Sequence, residues 1–462
     1  KALKKINNLI LKNKNIDFYY INSFHLNNNY LNKFKKPFDT NNLPIDMDRL
    51  SPKKNSQRLL YVLGHLLLGF LVHEFSFIAT YYGLIIVLFG TYYILGKPDP
   101  LEQYPLFFSA YVVGIEVLLR MAGSSLFWEF GKYAVIYFLL LGILRRNEKF
   151  PIYLPIAMYF ILLLPAIFFI PFNSFNLWRQ DVAFNLSGPG VLSLCSIYLY
   201  KRTINKETLG NILFFIILPI ISMAIFNILN MPDLLTYRFM PYSDSFTSGG
   251  YGPNQVSTIF GLGIVVVIAA KVLKLNLTSS KYIDFLILIV FFVLGIITFS
   301  RGGIIAAIIS IICSISVYFF HDQKKVYMIS KSFGIFLISA IVWISIVSLT
   351  DGIIMQRYGF GGGESGEKFI LDLTGRGLIY KIDLNIFSDH IFTGVGPGQA
   401  TELREMYGYG KQVIAHTEYS RMLAEHGILG LFSLLILISI SITHLLLSFP
   451  IKRKFIKILF GL

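Results

Sequence analysis

The chain has 462 residues, 55% of them hydrophobic and 15% charged, with a net charge of +15 and a mean hydropathy of +0.62. A water-soluble core of this size cannot hide so much apolar surface. Repeated apolar runs of about 18–20 residues are the mark of membrane-spanning helices. The positive excess does not indicate nucleic acid, because it is distributed over alternating connectors between those runs.

Residues 1–58 are rich in Asn and Lys and weakly periodic. Lys35-Lys36 and Lys53-Lys54 suit a cationic tail at the cytoplasmic membrane surface, or equally a leader without function. The polar first 50 residues predict no cleaved secretory leader. Apolar runs follow at roughly 59–74, 76–95, 104–122, 126–144, 151–171, 182–200, 209–229, 254–273, 282–300, 302–320, 331–349 and 428–448, which makes about twelve spans. Pro165 falls in the fifth, where packing can absorb a kink. Cys195 and Cys313 both sit inside apolar runs and read as small core residues, not as a disulfide or a metal site.

With the N-terminus inside, the inner connectors carry Lys97, then Arg145, Arg146 and Lys149, then Lys201, Arg202 and Lys206, then Lys271, Lys274 and Lys281, then Lys324, Lys325 and Lys331. The last tail adds Lys452, Arg453, Lys454 and Lys457. The outer connectors carry mainly single arginines, Arg120, Arg179, Arg238 and Arg301. This is the positive-inside pattern, and a shift by one span would spoil it. The expected fold is an all-α polytopic membrane protein. Its expected parts are a cytoplasmic basic tail (1–58), eleven transmembrane helices (59–350), a large periplasmic loop (351–427), a last transmembrane helix (428–448) and a second cytoplasmic basic tail (449–462).

Chemistry is expected where polar residues meet the outer boundary. Ser243 to Gln255 is one such cluster: Asn254 and Gln255 can hydrogen-bond sugar hydroxyls, Tyr251 can stack on a ring, and Arg238 can join a phosphate site. A plain helix start fits equally well. Arg179 beside Trp178 reads as an interfacial anchor. Arg301 sits in a tight external turn, Ser300-Arg301-Gly302-Gly303, where a guanidinium near the membrane needs a partner and the glycines allow close approach. Snorkelling to lipid headgroups is the bland alternative. Arg376, between Gly375 and Gly377, suits bidentate phosphate contact, or is an ordinary loop arginine. Gly394-Val395-Gly396-Pro397-Gly398 lacks phosphate-loop spacing and reads as a structural turn, with Asp389-His390 before it also structural.

His416 is the sharpest candidate. The stretch from Thr417 to His426 reads as helical, so His416 precedes a helix N-terminus, whose dipole disfavours imidazolium and keeps the ring a neutral base. Tyr419, Ser420 and Leu423 would share its face, while Glu418 lies with Arg421 or Met422. A structural, hydrogen-bonded histidine is the alternative. No His/Cys/Asp cluster has metal-ligand spacing, and Asp46-Met47-Asp48 lies in the cytoplasmic tail. Glu116 and Glu129 look isolated near span ends.

In order, the Gly252-Pro253-Asn254-Gln255 span start, the Ser300–Gly303 turn, Thr374-Gly375-Arg376, Gly394–Gly398 and the stretch from His416 to Gly430 resemble the O-antigen ligase and O-antigen polymerase superfamily of bacterial envelopes. The resemblance is specific over about 250–430, and earlier only the pattern of spans matches. Where the family usually has Asn after its motif histidine, this chain has Thr417. The resemblance implies a GT-C-like, inverting, metal-independent glycosyltransferase of about twelve helices without a cofactor. It would act at the periplasmic face of the bacterial inner membrane, with both termini cytoplasmic. The donor would be an undecaprenyl-pyrophosphate-linked glycan. Ligases pass it to a lipid A-core sugar, polymerases to a second lipid-linked glycan, and a protein O-oligosaccharyltransferase is a third branch. The single dominant outer loop favours the ligase, and a chain-length regulator is a further candidate partner. Arg301 and Arg376 would match the arginines that engage pyrophosphate, and His416 the essential histidine. Arg421 and Arg404 are candidate guides for phosphate or acceptor, with Glu418 beside them. The non-enzyme alternative is a flippase for the same lipids, which would carry charges inside the spans rather than at their outer ends.

Overall fold

The computed structural model describes residues 55–99, 102–123, 126–146, 151–171, 174–278, 280–319, 340–358, 376–409 and 417–448. The apolar runs fold as helices: α1 (Asn55–Glu74), α2 (Phe77–Gly96), α3 (Tyr104–Met121), α4 (Phe130–Arg145), α5 (Leu154–Ile161), α6 (Phe175–Leu199), α7 (Lys206–Asn230), α8 (Pro253–Val272), α9 (Lys281–Ile297) and α10 (Arg301–Phe319). Then follow α11 (Ala340–Leu349) and α12 (Ile353–Tyr358), α13 (Arg376–Asp389), α14 (Ala400–Arg404) and α15 (Glu418–Ser448).

Local chemistry sets several boundaries. The Ser174 hydroxyl accepts from the Leu177 amide, so α6 starts seven residues ahead of the apolar run that begins at 182. Asn205 caps α7 in the same way, its carbonyl accepting from the Thr208 amide at 2.7 Å. The fifth run breaks: α5 stops at Ile161 and Pro165 lies in a 3-10 turn, Leu164–Phe169.

Among the described residues, six helices, α2, α3, α6, α7, α8 and α15 as far as His444, are long and apolar enough to cross a membrane. The bundle also turns large apolar side chains outward, such as Leu60, Tyr81, Leu88 and Leu144. Water does not tolerate such a surface, and lipid does. The chain is a helical membrane protein, and no strand occurs among the described residues. About twelve spans are expected from the sequence; six helices qualify by length and composition among the described residues, and the expected runs 302–320 and 331–349 lie partly outside them. α4 and α9 have only 16 and 17 residues. α1 carries Asn55, Arg58, His65, His73 and Glu74 along its length. Cys195 is half-buried, but Cys313 faces outward from α10, so it is not the core residue that the sequence suggested.

Small residues let helices cross closely. A Cβ on Gly69 would lie 2.3 Å from the Ser222 carbonyl oxygen, and one on Gly114 2.5 Å from that of Ile216, which seats α1 and α3 against α7. Side-chain pairings sort the helix ends into two groups. At one end, Arg58 donates to Asn211 and to the carbonyls of Asn276 and Leu277. There too, Arg145 donates to the Ile94 carbonyl and Arg202 pairs with Glu102. At the other end His73 meets Asn230, Asn254 meets Ser300, and Asp181 meets Gln399. Nearly all the lysines of the described connectors belong to the first end, and the candidate site residues belong to the second.

Candidate active site

Arg301 opens α10 after a three-residue link from α9. The Thr298 hydroxyl ties that link, donating to the Gly295 carbonyl at 2.7 Å and accepting from the Ser300 amide at 3.1 Å. Phe299 has a φ of +54° and stacks on Phe239 with ring centres 5.5 Å apart. The Ser257 hydroxyl donates to the Ser300 carbonyl at 2.9 Å, and the Ser300 hydroxyl to Asn254 Oδ1 at 2.8 Å. Gly303 then lets α10 touch α8 backbone to backbone: a Cβ there would lie 2.2 Å from the Ser257 carbonyl oxygen. The turn is therefore fixed from every side. A cation at the positive end of a helix dipole is misplaced for stability, whereas an anion there is favoured.

Other polar groups gather at this turn. Arg357 Nε donates to the Phe299 carbonyl at 2.8 Å. Burial pushes the neighbouring Tyr358 hydroxyl up to about 12, against the pull of Arg301 and Arg357. Arg238 is exposed on the segment that delivers Phe239, and Tyr251 is half-buried just before α8. Asn254 is exposed, and its carbonyl oxygen is engaged in holding the turn.

The second construction joins α13, α14 and α15. Asp383 is fully buried, and its two oxygens accept from Arg404 Nε at 2.7 Å and from the Ser420 hydroxyl at 2.6 Å. Ser420 is also 2.5 Å from the Thr417 hydroxyl, at the start of α15. Gly427, with φ +58° and ψ −140°, breaks α15. The carbonyls of Ala424 and Glu425, ahead of the break, accept from the amides of Val395 and Gly396 at 3.1 and 3.0 Å. The Ile428 amide donates to the Ile391 carbonyl at 2.6 Å. Gly394, at φ +64°, fits because a Cβ would lie 2.4 Å from the Glu425 carbonyl. The glycine-rich stretch is thus a clasp on the break in α15. Because Asp383 meets Ser420 and Ile391 meets Ile428, α13 runs parallel to α15. Arg376, seven residues before Asp383, therefore extends about 10 Å further along that axis, past Thr417.

A cavity of about 1110 Å³ opens beside this clasp, between α4, α6 and α15. Arg421 spans it: Nε and Nη2 donate to Glu418 at 3.0 and 2.5 Å, and Nη1 donates to Glu425 at 3.1 Å and to Asn185. Lys132 bridges Glu129 at 2.5 Å and Ser187 at 3.1 Å on the opposite wall. Among the described residues, no three His, Cys, Asp or Glu side chains converge as a metal site.

Residues 285–435 match the family model described as O-antigen ligase. The match runs from α9 into α15 and takes in the Arg301 turn, the Asp383–Arg404 pair, Arg376, His416 and Arg421. This segment belongs to the O-antigen ligase family. No curated protein and no solved structure matches the chain.

Set against the sequence, the candidate residues fall into two groupings, one of them reaching outside the matched segment. Arg301, Asn254, Arg238 and Tyr251 gather at or near one turn, and Arg404, Arg421 and Glu418 at the clasp and cavity. Arg404 is wholly buried against Asp383, which makes it a support of the clasp rather than a surface contact. Glu418 pairs with Arg421, as its helical spacing suggests. Glu116 and Glu129 are not isolated: they pair with Arg120 and Lys132. Asp389 accepts from Tyr407 at 2.6 Å. Arg179 lines the cavity, beside Trp178 stacked on Phe175. His416 and the side chain of Arg376 lie outside the described residues, as do residues 1–54, 359–375 and 449–462. Asp383, Asn185 and Glu425 were not singled out from the sequence. Asn185 did interrupt an apolar run, and Glu425 stands four residues after Arg421, on its face.

Proposed function

We propose that this protein transfers a glycan from undecaprenyl pyrophosphate to a sugar hydroxyl at the periplasmic face of the bacterial inner membrane, as an O-antigen ligase acting on lipid A-core. The observation that carries the proposal is Arg301, fixed on a rigid turn at the positive end of a 19-residue helix inside the matched segment. A pyrophosphate there meets a guanidinium and helix-start amides together. As the anomeric C–O bond breaks, the electron pair leaves with the pyrophosphate. Preorganised arginines, Arg301 and Arg376, stabilise that developing charge, an effect on the order of 3–4 kcal/mol per donor group. The acceptor hydroxyl attacks from the opposite face, inverting the centre, and its proton passes to His416.

On this reading the chain crosses the membrane about twelve times, with the lysine-rich end of the bundle in the cytoplasm. Shorter helices such as α4 and α9 then span by tilt or local thinning of the bilayer. A repeat-unit polymerase or a protein O-oligosaccharyltransferase would use the same site with another acceptor. A flippase is disfavoured by the match to a family described as O-antigen ligase, while the described ion pairs sit at helix ends, at the clasp and in the cavity beside it.

Arg301→Ala and His416→Ala variants in the native host test this by gel analysis of the envelope glycan. Both should lose surface glycan at normal expression, and wild-type glycan in both overturns the assignment. Deleting the gene separates the branches. Bare core with lipid-linked polymer indicates a ligase, core with one repeat unit a polymerase, and intact glycan with unglycosylated proteins the third branch.

A further inference from the structure

We propose that the cavity between α4, α6 and α15 is the binding site of the acceptor saccharide, held by hydroxyl contacts and aromatic faces rather than by charge. This rests on the transfer reading above and adds a location and a ligand class to it.

The wall chemistry is that of a sugar site. Trp128 and Tyr419 line it and are exposed, 60% and 68% accessible, with the Arg120 guanidinium over the Trp128 ring at 5.0 Å. Such rings suit the apolar faces of pyranoses. Acceptors for hydroxyl protons ring the same space: Glu418 and Glu425 on α15, Asp181 and Asn185 on α6, Glu129 ahead of α4, and Glu402 on α14. A pocket with a few convergent polar groups set among aromatic side chains orients a ligand and selects it.

The electrostatics exclude the pyrophosphate from this cavity. Its five carboxylates outnumber its three cations, Lys132, Arg179 and Arg421. Two of those cations are spoken for: Arg421 by Glu418, Glu425 and Asn185, and Lys132 by Glu129 and Ser187. An anion placed there would face net negative charge, whereas a neutral hydroxyl-rich ligand meets acceptors. No residue of α8 or α10 lines the cavity, so it is separate from the Arg301 turn.

Chain order decides between donor and acceptor. His416 must take the proton of the attacking hydroxyl. The residues that follow it, Glu418, Tyr419, Arg421 and Glu425, line the cavity. A saccharide seated there is held by the residues that follow the base directly in sequence. The O–H bond breaks with its proton passing to His416, the new C–O bond forms at the donor's anomeric carbon, and the pyrophosphate departs from the far side.

Calorimetric titration of the detergent-purified full chain with core oligosaccharide split from lipid A, and separately with repeat-unit oligosaccharide split from its carrier, tests the site. Saturable binding of one of them is expected. Tyr419→Ala and Asp181→Asn should each weaken it at least tenfold, Tyr419→Phe should preserve it, and Arg301→Ala should leave it unchanged. In transfer assays Tyr419→Ala should raise the KM for acceptor and not that for donor. Binding of neither oligosaccharide by the wild type, wild-type binding by both cavity variants, or a rise confined to the donor KM overturns the proposal. Saccharide binding without any transfer would overturn the transfer reading alone, and transfer without saccharide binding would overturn this site alone.

Discussion

Arg301 and Arg404 lie in the same family segment and are held by opposite means. The backbone around Arg301 is fixed by the hydroxyls of Ser257, Thr298 and Ser300, the Asn254 carbonyl, the Arg357 guanidinium on the Phe299 carbonyl, and a glycine contact between α8 and α10. Arg404 is itself the fastening, fully buried against Asp383 where α13, α14 and α15 meet. The difference teaches where charge does chemistry. An arginine tied into a buried pair has its charge matched by the fold, and removing one partner strands the other. An arginine at a helix start, on a turn held mainly by hydroxyl groups, adds its charge to a dipole field that favours an anion there.

Substitutions can break this contrast at either side. The largest effect on stability is expected from Asp383→Ala, which removes the carboxylate that the buried Arg404 donates to and should cost about 3–5 kcal/mol. Thermal unfolding in detergent would show it. The double replacement Asp383→Leu with Arg404→Met should recover most of that loss, since an apolar pair of similar volume removes the stranded charge. Next comes Arg301→Ala, with little change in unfolding temperature and a fall in transfer rate of about 10²–10³-fold. If Arg301→Ala unfolds the protein and Asp383→Ala does not, the contrast is inverted.

A smaller effect sharpens the account of the turn. Gly303→Ala pushes a methyl into the Ser257 carbonyl and should cost about 1–3 kcal/mol, with activity falling further than stability because Arg301 moves with α10. The smallest is Tyr237→Phe, which removes the hydrogen bond to Asp244 and should cost about 1 kcal/mol. Burial, then that bond, raises the Tyr237 hydroxyl to about 12. Its folded pKa lies above the ordinary value of 10, so the stabilisation is complete below pH 10 and fades as pH climbs toward 12. The variant should lack that alkaline loss.

Apolar length made most of the helices legible, because a run that must satisfy its own backbone in lipid has one regular solution. Helix starts were less legible. The Ser174 cap advances α6, and the second half of the fifth apolar run, with Pro165, is a 3-10 segment, both local effects that hydropathy windows average away. The turn at Arg301 was visible as an unusual outer arginine beside two glycines. The clasp was not, because Asp383, Arg404 and Ser420 lie far apart in sequence and meet only when α13 packs parallel to α15. The glycine-rich stretch read as a structural turn, and its amides do cap the break at Gly427. Asn185 and Glu425 escaped notice for the same reason as Asp383: their partner Arg421 sits on another helix or a turn away on its own.

The central claim is tested most directly in proteoliposomes containing the full chain, supplied with undecaprenyl-pyrophosphate-linked oligosaccharide and lipid A-core. The wild type should release undecaprenyl pyrophosphate and enlarge the core by the mass of the oligosaccharide, and Arg301→Ala should do neither while remaining folded. Release and enlargement at the wild-type rate in Arg301→Ala, or neither in a correctly folded wild type supplied with lipid A-core or with a second lipid-linked glycan, would contradict it.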